Sequence, residues 1–281
     1  MRRAPRLAAA MLVALPVVLG VGYSLAASVG VAGSGATGLT SDRLSRVLGD
    51  ASTWYGLLWT LWTAAAATTL ATVGAVACAM AFRGNRVTDR VAHALVLLPL
   101  PVPHLVAAAL GVWILGQSGM IARVGFAFGL LHTPAQMPAL VYDRWGLGLI
   151  LTMAWKEMAF LALVASSLLA TRAAVAEEAA RTLGAGRWMT FHRVTWPIVW
   201  RGLLPAVVAV FIFVAGSYEA AVLLAPSNPL ALSLLVAERA ADPALTRRGD
   251  AYVVSLLLFA LAVIAVIAHE GARARWEPLD A

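Results

Sequence analysis

The chain has 281 residues, 61% of them hydrophobic and 12% charged, with a formal net charge of +7. Its mean hydropathy is +0.83. A soluble domain of this size has too little interior to hide that much apolar surface, because surface falls slowly with size, so lipid must take part of it. The arginines lie between apolar runs rather than in one patch, which points to membrane topology and away from nucleic acid. The one cysteine, Cys78, excludes an intramolecular disulfide and, inside an apolar run, reads as a packed small residue.

A bilayer span needs roughly 20 apolar residues at about 1.5 Å each. Six stretches qualify: 7–29, 57–82, 93–116, 146–171, 202–225 and 250–268. The first follows Arg2, Arg3 and Arg6 and ends near Ala26 and Ala27, like a secretory signal peptide. Five further spans favour an uncleaved first helix; a cleaved signal is the alternative. The Gly33, Gly35 and Gly38 spacing spells a dinucleotide fingerprint, but it follows a membrane helix instead of a strand, so it reads as a linker.

The second span ends at Arg83-Gly84-Asn85-Arg86. The third holds Pro99, Pro101 and Pro103, which predicts an irregular or kinked course. The segment Ser118 to Leu131 is too short to span and reads as an interfacial or re-entrant helix outside. With the N-terminus inside, thirteen arginines fall on the cytoplasmic side and seven on the outer side, which predicts both termini cytoplasmic. The sequence thus predicts an all-α polytopic membrane protein, one transmembrane domain over 1–281, with a long cytoplasmic loop at 172–201.

That loop carries the strongest signal. Residues 173–183 are good helix formers, with Glu177 and Glu178 in an early turn where the helix dipole favours acids. Gly184 is a natural helix stop, 187–194 forms a second short helix, and Pro197 suits the first turn of the fifth span. Leu183, Trp188 and Phe191 among arginines make a compact apolar surface there; an amphipathic helix resting on lipid headgroups is the plainer reading of it.

The spacing resembles the signature loop of ABC importer permeases: Glu-Ala-Ala, three residues, Gly, nine residues, then Ile-x-Leu-Pro. Glu178, Ala179, Ala180, Gly184 and Pro197 match; Val194 stands for the usual Ile and Trp196 for the usual Leu. The resemblance extends to Trp155-Lys156-Glu157 with Phe160 and covers about residues 55–270. It implies a type I importer permease of the bacterial inner membrane. Such a chain is no enzyme and holds no cofactor. Its partners would be a separate ATPase subunit, a second permease subunit and an extracytoplasmic solute-binding protein. Glu178, Ala179, Ala180, Gly184, Arg187, Trp188, Val194 and Pro197 would dock the ATPase. The solute would belong to the polyamine, iron, thiamine or sulfate group, or be a sugar.

Three charges lie inside predicted spans: Lys156, Glu157 and Glu219. Each is expensive near the bilayer centre, about 2.5–3.5 kcal/mol on insertion scales. They read either as a translocation path or as an internal ion pair that fixes helix packing. Adjacent Lys156 and Glu157 point about 100° apart on a helix, so Lys156 is expected to meet Glu219 from the fifth span, in contact or through one water. His104 reads as a packed histidine. The chain lacks a Gly-x-x-x-x-Gly-Lys-Ser/Thr loop, so ATP must be handled by another subunit. A membrane-embedded enzyme would need catalytic residues clustered at one depth. An ion-coupled secondary transporter, the alternative function, would need inverted repeats around buried acids and would have no use for the Glu-Ala-Ala loop.

Overall fold

A computed structural model of the chain describes residues 3–36, 38–84 and 86–275. Arg2 of the N-terminal cluster, Thr37 of the linker and Asn85 of the turn after the second span lie outside the described residues. Among the described residues the regular structure is helical throughout. In chain order the helices are α1 (Arg3–Ser28), α2 (Asp42–Gly49), α3 (Ala51–Ala81), α4 (Val87–Leu97), α5 (His104–Leu115), α6 (Met120–Ala127) and α7 (Leu147–Leu168). They continue as α8 (Ala174–Thr182), α9 (Arg187–Thr190), α10 (Trp196–Gly216), α11 (Tyr218–Leu224), α12 (Leu232–Ala240), α13 (Leu245–Arg248) and α14 (Asp250–Ala274). Five stretches among the described residues are long and apolar enough to cross a bilayer: Ala51–Ala81, His104–Ala127, Leu147–Thr182, Arg187–Gly216 and Leu245–Ala274. The first helix adds a shorter apolar stretch, Ala14–Ser28.

Three expected elements are redrawn. The third span is broken between α4 and α5. Pro101 and Pro103 lack the N–H groups that the carbonyls of Leu97 and Pro99 would need in a helix. The chain turns instead on tighter bonds, from Leu100 N–H to the Leu97 carbonyl at 3.0 Å and from Val102 N–H to the Pro99 carbonyl at 3.1 Å. The fifth span stops at Gly216, a weak helix former; Ser217 is extended, and the chain restarts as α11. The short helix expected at 187–194 is not separate. A π-helical turn, Phe191–Thr195, carries α9 straight into α10. Pro197, second residue of α10, has no N–H for the carbonyl four residues back, and the wider π turn just before it relieves that mismatch. A second π turn, Leu169–Ala173, joins α7 to α8.

The chain packs as two compact units: Met1–Leu58 with Pro229–Ala262, and Trp59–Asn228 with Val263–Ala281. In the first, Val47 of α2, Leu232 and Leu235 of α12, and Val253 and Val254 of α14 form an apolar core. Around it the charges are internal. Buried Arg43 donates to the carbonyls of Ala27, Ser34 and Gly35. Arg46 meets Asp250 at 2.8 Å, and Arg239 meets Asp50 at 2.6 Å.

In the second unit α7 is central, packed against α4, α5, α10 and α11. Small residues set the close approaches, since lipid supplies no hydrophobic drive between helices: Gly74 lies against Met158, Gly111 against Thr152, and Gly202 against Leu168. The start of α7 is pinned. Asp143 accepts from the N–H groups of Trp145 and Leu147 at 2.9 and 2.6 Å, and Trp59 and Trp62 donate to the Arg144 and Trp145 carbonyls. Gly146 makes the corner at φ +72°, where a Cβ would strike Thr63 and Trp59.

Candidate functional site

Helix α8 ends in a Schellman turn. The Gly184 N–H bonds to the Arg181 carbonyl and the Ala185 N–H to the Ala180 carbonyl, both at 3.0 Å. Gly184 adopts φ +82°, a left-handed value that glycine takes without strain, and the space beside its Cα is open. The obstacle to a side chain there is therefore backbone conformation, not crowding.

The turn projects apolar surface. Leu183 is 88% exposed and Trp188 74%, with Met189 also exposed. The Trp188 ring packs edge-on to His192 at 4.6 Å and lies 6.2 Å from Phe191. Glu178, Ala179 and Arg187 are exposed, while Ala180, Val194 and Pro197 are half-buried. The eight motif residues thus line one continuous helix–turn–helix, its outer side carrying exposed leucine, tryptophan, arginine and glutamate.

Beneath it lies an arrangement that sequence reasoning missed. Glu177, 7% exposed, receives both guanidinium arms of Arg83, Nη1 to Oε1 and Nη2 to Oε2, each at 3.0 Å. The Thr195 hydroxyl donates to the same Oε1 at 2.6 Å. One carboxylate thereby ties the end of α3, the middle of α8 and the turn that opens α10. An open cleft of about 440 Å³ adjoins it, lined in part by Arg83, Arg181, Arg187 and Thr190. Ala173, four residues before Glu177, is fully buried; Glu177 shares its inward face, while Glu178 is turned about 100° outward.

The membrane charges form a second cluster, differently paired from expectation. Lys156 lies nine residues past Leu147, about 14 Å along the helix at 1.5 Å per residue. Lys156 is 6% exposed and Glu157 7%. Lys156 Nζ donates to the Leu100 carbonyl at 3.4 Å, and His104 Nε2 lies 2.9 Å from Glu157 Oε1. The His104 ring also packs on Phe213, with centroids 4.4 Å apart.

Among the described residues Lys156 and Glu219 form no direct ion pair within 4.0 Å. Glu219 stands exposed in the first turn of α11, past the break at Ser217. The proline break supplies the competing acceptor: it takes the Leu100 carbonyl out of helical bonding and leaves it for the ammonium. Adjacent residues on α7 reach one partner element because that element is bent, so Leu100 and His104 bracket the bend. His104 is therefore hydrogen-bonded to a membrane carboxylate and not merely packed.

The chain matches the model of one protein family, described as the binding-protein-dependent transport system inner membrane component, over residues 71–270. It is 29% identical over 198 residues to the sulfate transport system permease protein CysT of Synechocystis sp., covering 68% of this chain and 64% of that one. It is also 29% identical over 157 residues to the molybdenum transport system permease protein ModB of Escherichia coli K12, covering 53% and 59%. Both matches span less than two thirds of those relatives. In fold it resembles a chain of a bacterial ABC transporter involved in the import of the acidic polysaccharide alginate, with a TM-score of 0.76 at 16% identity over 98% of this chain and 96% of that chain. A chain of an amino acid ABC transporter gives 0.58 at 18% identity over 84% and 100%.

Proposed function

Because the chain belongs to the family of binding-protein-dependent transport system inner membrane components, we propose that it is the pore-forming permease of an ATP-driven importer. It works with a second permease subunit, a separate ATPase and an extracytoplasmic binding protein. The loop 172–201 and both termini are cytoplasmic, in keeping with the arginine bias. The observation that carries this reading is the helix–turn–helix at Gly184. It is rigidly built from within, yet it presents Leu183, Trp188 and Arg187 outward, the combination of large apolar and arginine side chains that anchors protein interfaces.

The solute in this reading is a small inorganic oxyanion of the sulfate class. The support is that two relatives are named for sulfate and molybdenum. Lys156, Glu157 and Glu219 are the candidate path residues, with His104 joining them through Glu157. A lysine held by a single neutral carbonyl keeps hydrogen-bond donors for a passing anion.

The chain purified from its own membranes in mild detergent is expected to carry an ATPase subunit with it. Membrane vesicles supplied with ATP and the binding protein are expected to take up radiolabelled sulfate, with molybdate competing. Uptake that follows a proton or sodium gradient in the absence of any ATPase overturns the reading in favour of a secondary transporter.

A further inference from the structure

We propose that Glu177 and Arg83 are positioning residues that transmit movement of the loop to the second span. The inference rests on the permease reading above and adds a route for the coupling.

The loop's outer residues are joined to the rest of the second unit through α8 on one side and α9–α10 on the other, and the Glu177–Thr195 hydrogen bond closes the base between them. Displacement of the turn is therefore carried by the base as one body and is not absorbed by spreading of its two arms. The same carboxylate is gripped by Arg83, which follows α3 directly after Phe82.

Two parallel hydrogen bonds from a planar guanidinium resist rotation as well as separation, which a single contact does not. Thr195 is 2% exposed and Glu177 7%, while Arg83 is exposed beside the open cleft. Loss of Arg83 leaves the Glu177 carboxylate buried without its counter-charge, whereas Arg83 itself is exposed, so the cost of opening the pair falls on the carboxylate. That stiffness suits a strut better than a hinge. Arg83, Glu177 and Thr195 all belong to the second unit, and the path runs from the docking turn to the end of a membrane-spanning helix.

The test uses the assembled transporter in proteoliposomes and reads solute imported per ATP hydrolysed. A loss of folded protein lowers import and hydrolysis together and leaves that ratio unmoved. Glu177→Gln, Arg83→Lys, Arg83→Glu and the exchange Arg83→Glu with Glu177→Arg are compared with the unmodified chain. The ratio is expected to fall about tenfold in Glu177→Gln, within the usual range of coupling between sites. Arg83→Lys is expected to fall less, since charge survives without the fork. The exchange is expected to recover part of the loss suffered by Arg83→Glu alone.

An unchanged ratio in Glu177→Gln overturns the proposal, and so does failure of both single conservative variants to accumulate in the membrane, which assigns the pair to folding. If the unmodified chain binds no ATPase at all, the permease reading has failed. If it binds and couples normally while Glu177→Gln does too, only the strut has failed.

Discussion

Two regions of the molecule handle charge in opposite ways. In the unit built on α2, α12 and the start of α14, Arg43, Arg46, Arg239, Asp50 and Asp250 are consumed by the fold: each has a partner within the chain, and Arg43 donates to three carbonyls. In the loop around Gly184, Glu178 and Arg187 are exposed and make no hydrogen bond or ion pair among the described residues, beside an uncovered Leu183 and Trp188. Similar residue types thus serve two purposes. Where polar groups are satisfied internally, mutation should damage stability. Where they are left open on a rigid base, mutation should damage association and leave the fold alone.

The contrast is broken most severely at Arg43. Replacing it by Ala removes three hydrogen bonds and leaves a cavity where the buried side chain stood, at a cost of about 3 kcal/mol or more in stability. The expected readout is a fall in the thermal unfolding midpoint in detergent and in the amount of protein in the membrane. Surviving Arg43→Ala protein should still bring the ATPase with it; selective loss of the ATPase would erase the distinction between the regions.

Next in size is Trp188→Ala, the reverse experiment. A large exposed aromatic at an interface centre is worth about 2 kcal/mol of binding, so affinity for the ATPase should weaken roughly 30-fold. The unfolding midpoint should stay within error of the unmodified chain. Binding kinetics and differential scanning fluorimetry on one preparation separate the two effects.

Gly184→Val is smaller in energy but informative. The position has room for a side chain, so the penalty is the left-handed backbone alone, about 1–2 kcal/mol. It should tilt the turn and reduce uptake while insertion remains normal. Normal uptake at normal expression would mean that the turn does not set the docking geometry.

The smallest effect is a pH dependence at Asp50. Hydrogen bonds from the Ser52 hydroxyl and N–H, opposed by burial and reinforced by Arg239, hold its carboxyl below the usual carboxylate range. A depressed folded-state pKa means the group stabilises the fold above its unfolded pKa and loses that contribution as pH falls through the folded value. Asp50→Asn should therefore lower stability slightly near neutral pH, have least effect below the folded-state pKa, and so flatten the acid limb of a stability curve. A steeper acid limb in the variant would contradict the sign.

Much of this was legible in one dimension, for reasons that differ by element. The apolar stretches could be located because lipid demands length and composition together, and the Gly184 turn because only a few residue types end a helix that way. The break at Gly216–Ser217 was not legible, since one glycine in an apolar run is tolerated in many helices. The pairing of Lys156 with Glu219 was inferred from opposite charge and similar depth. No direct pair forms between them among the described residues; Lys156 donates instead to a carbonyl that a broken helix offers and that no residue letter advertises. Glu177 was overshadowed by its neighbour: the spacing rule selects Glu178, and the inward role of Glu177 emerges only once Arg83 is brought to it from 94 positions away in sequence.

The contact between Lys156 and Leu100 has an evolutionary corollary. Its acceptor belongs to the main chain, so no single substitution at position 100 removes it, and the side chain there is free to drift. What preserves the interaction is the bend imposed by the neighbouring prolines. Contacts of this kind leave no trace in residues that change together across relatives. They would show themselves as a lysine that tolerates little replacement beside prolines that hold the path of the chain.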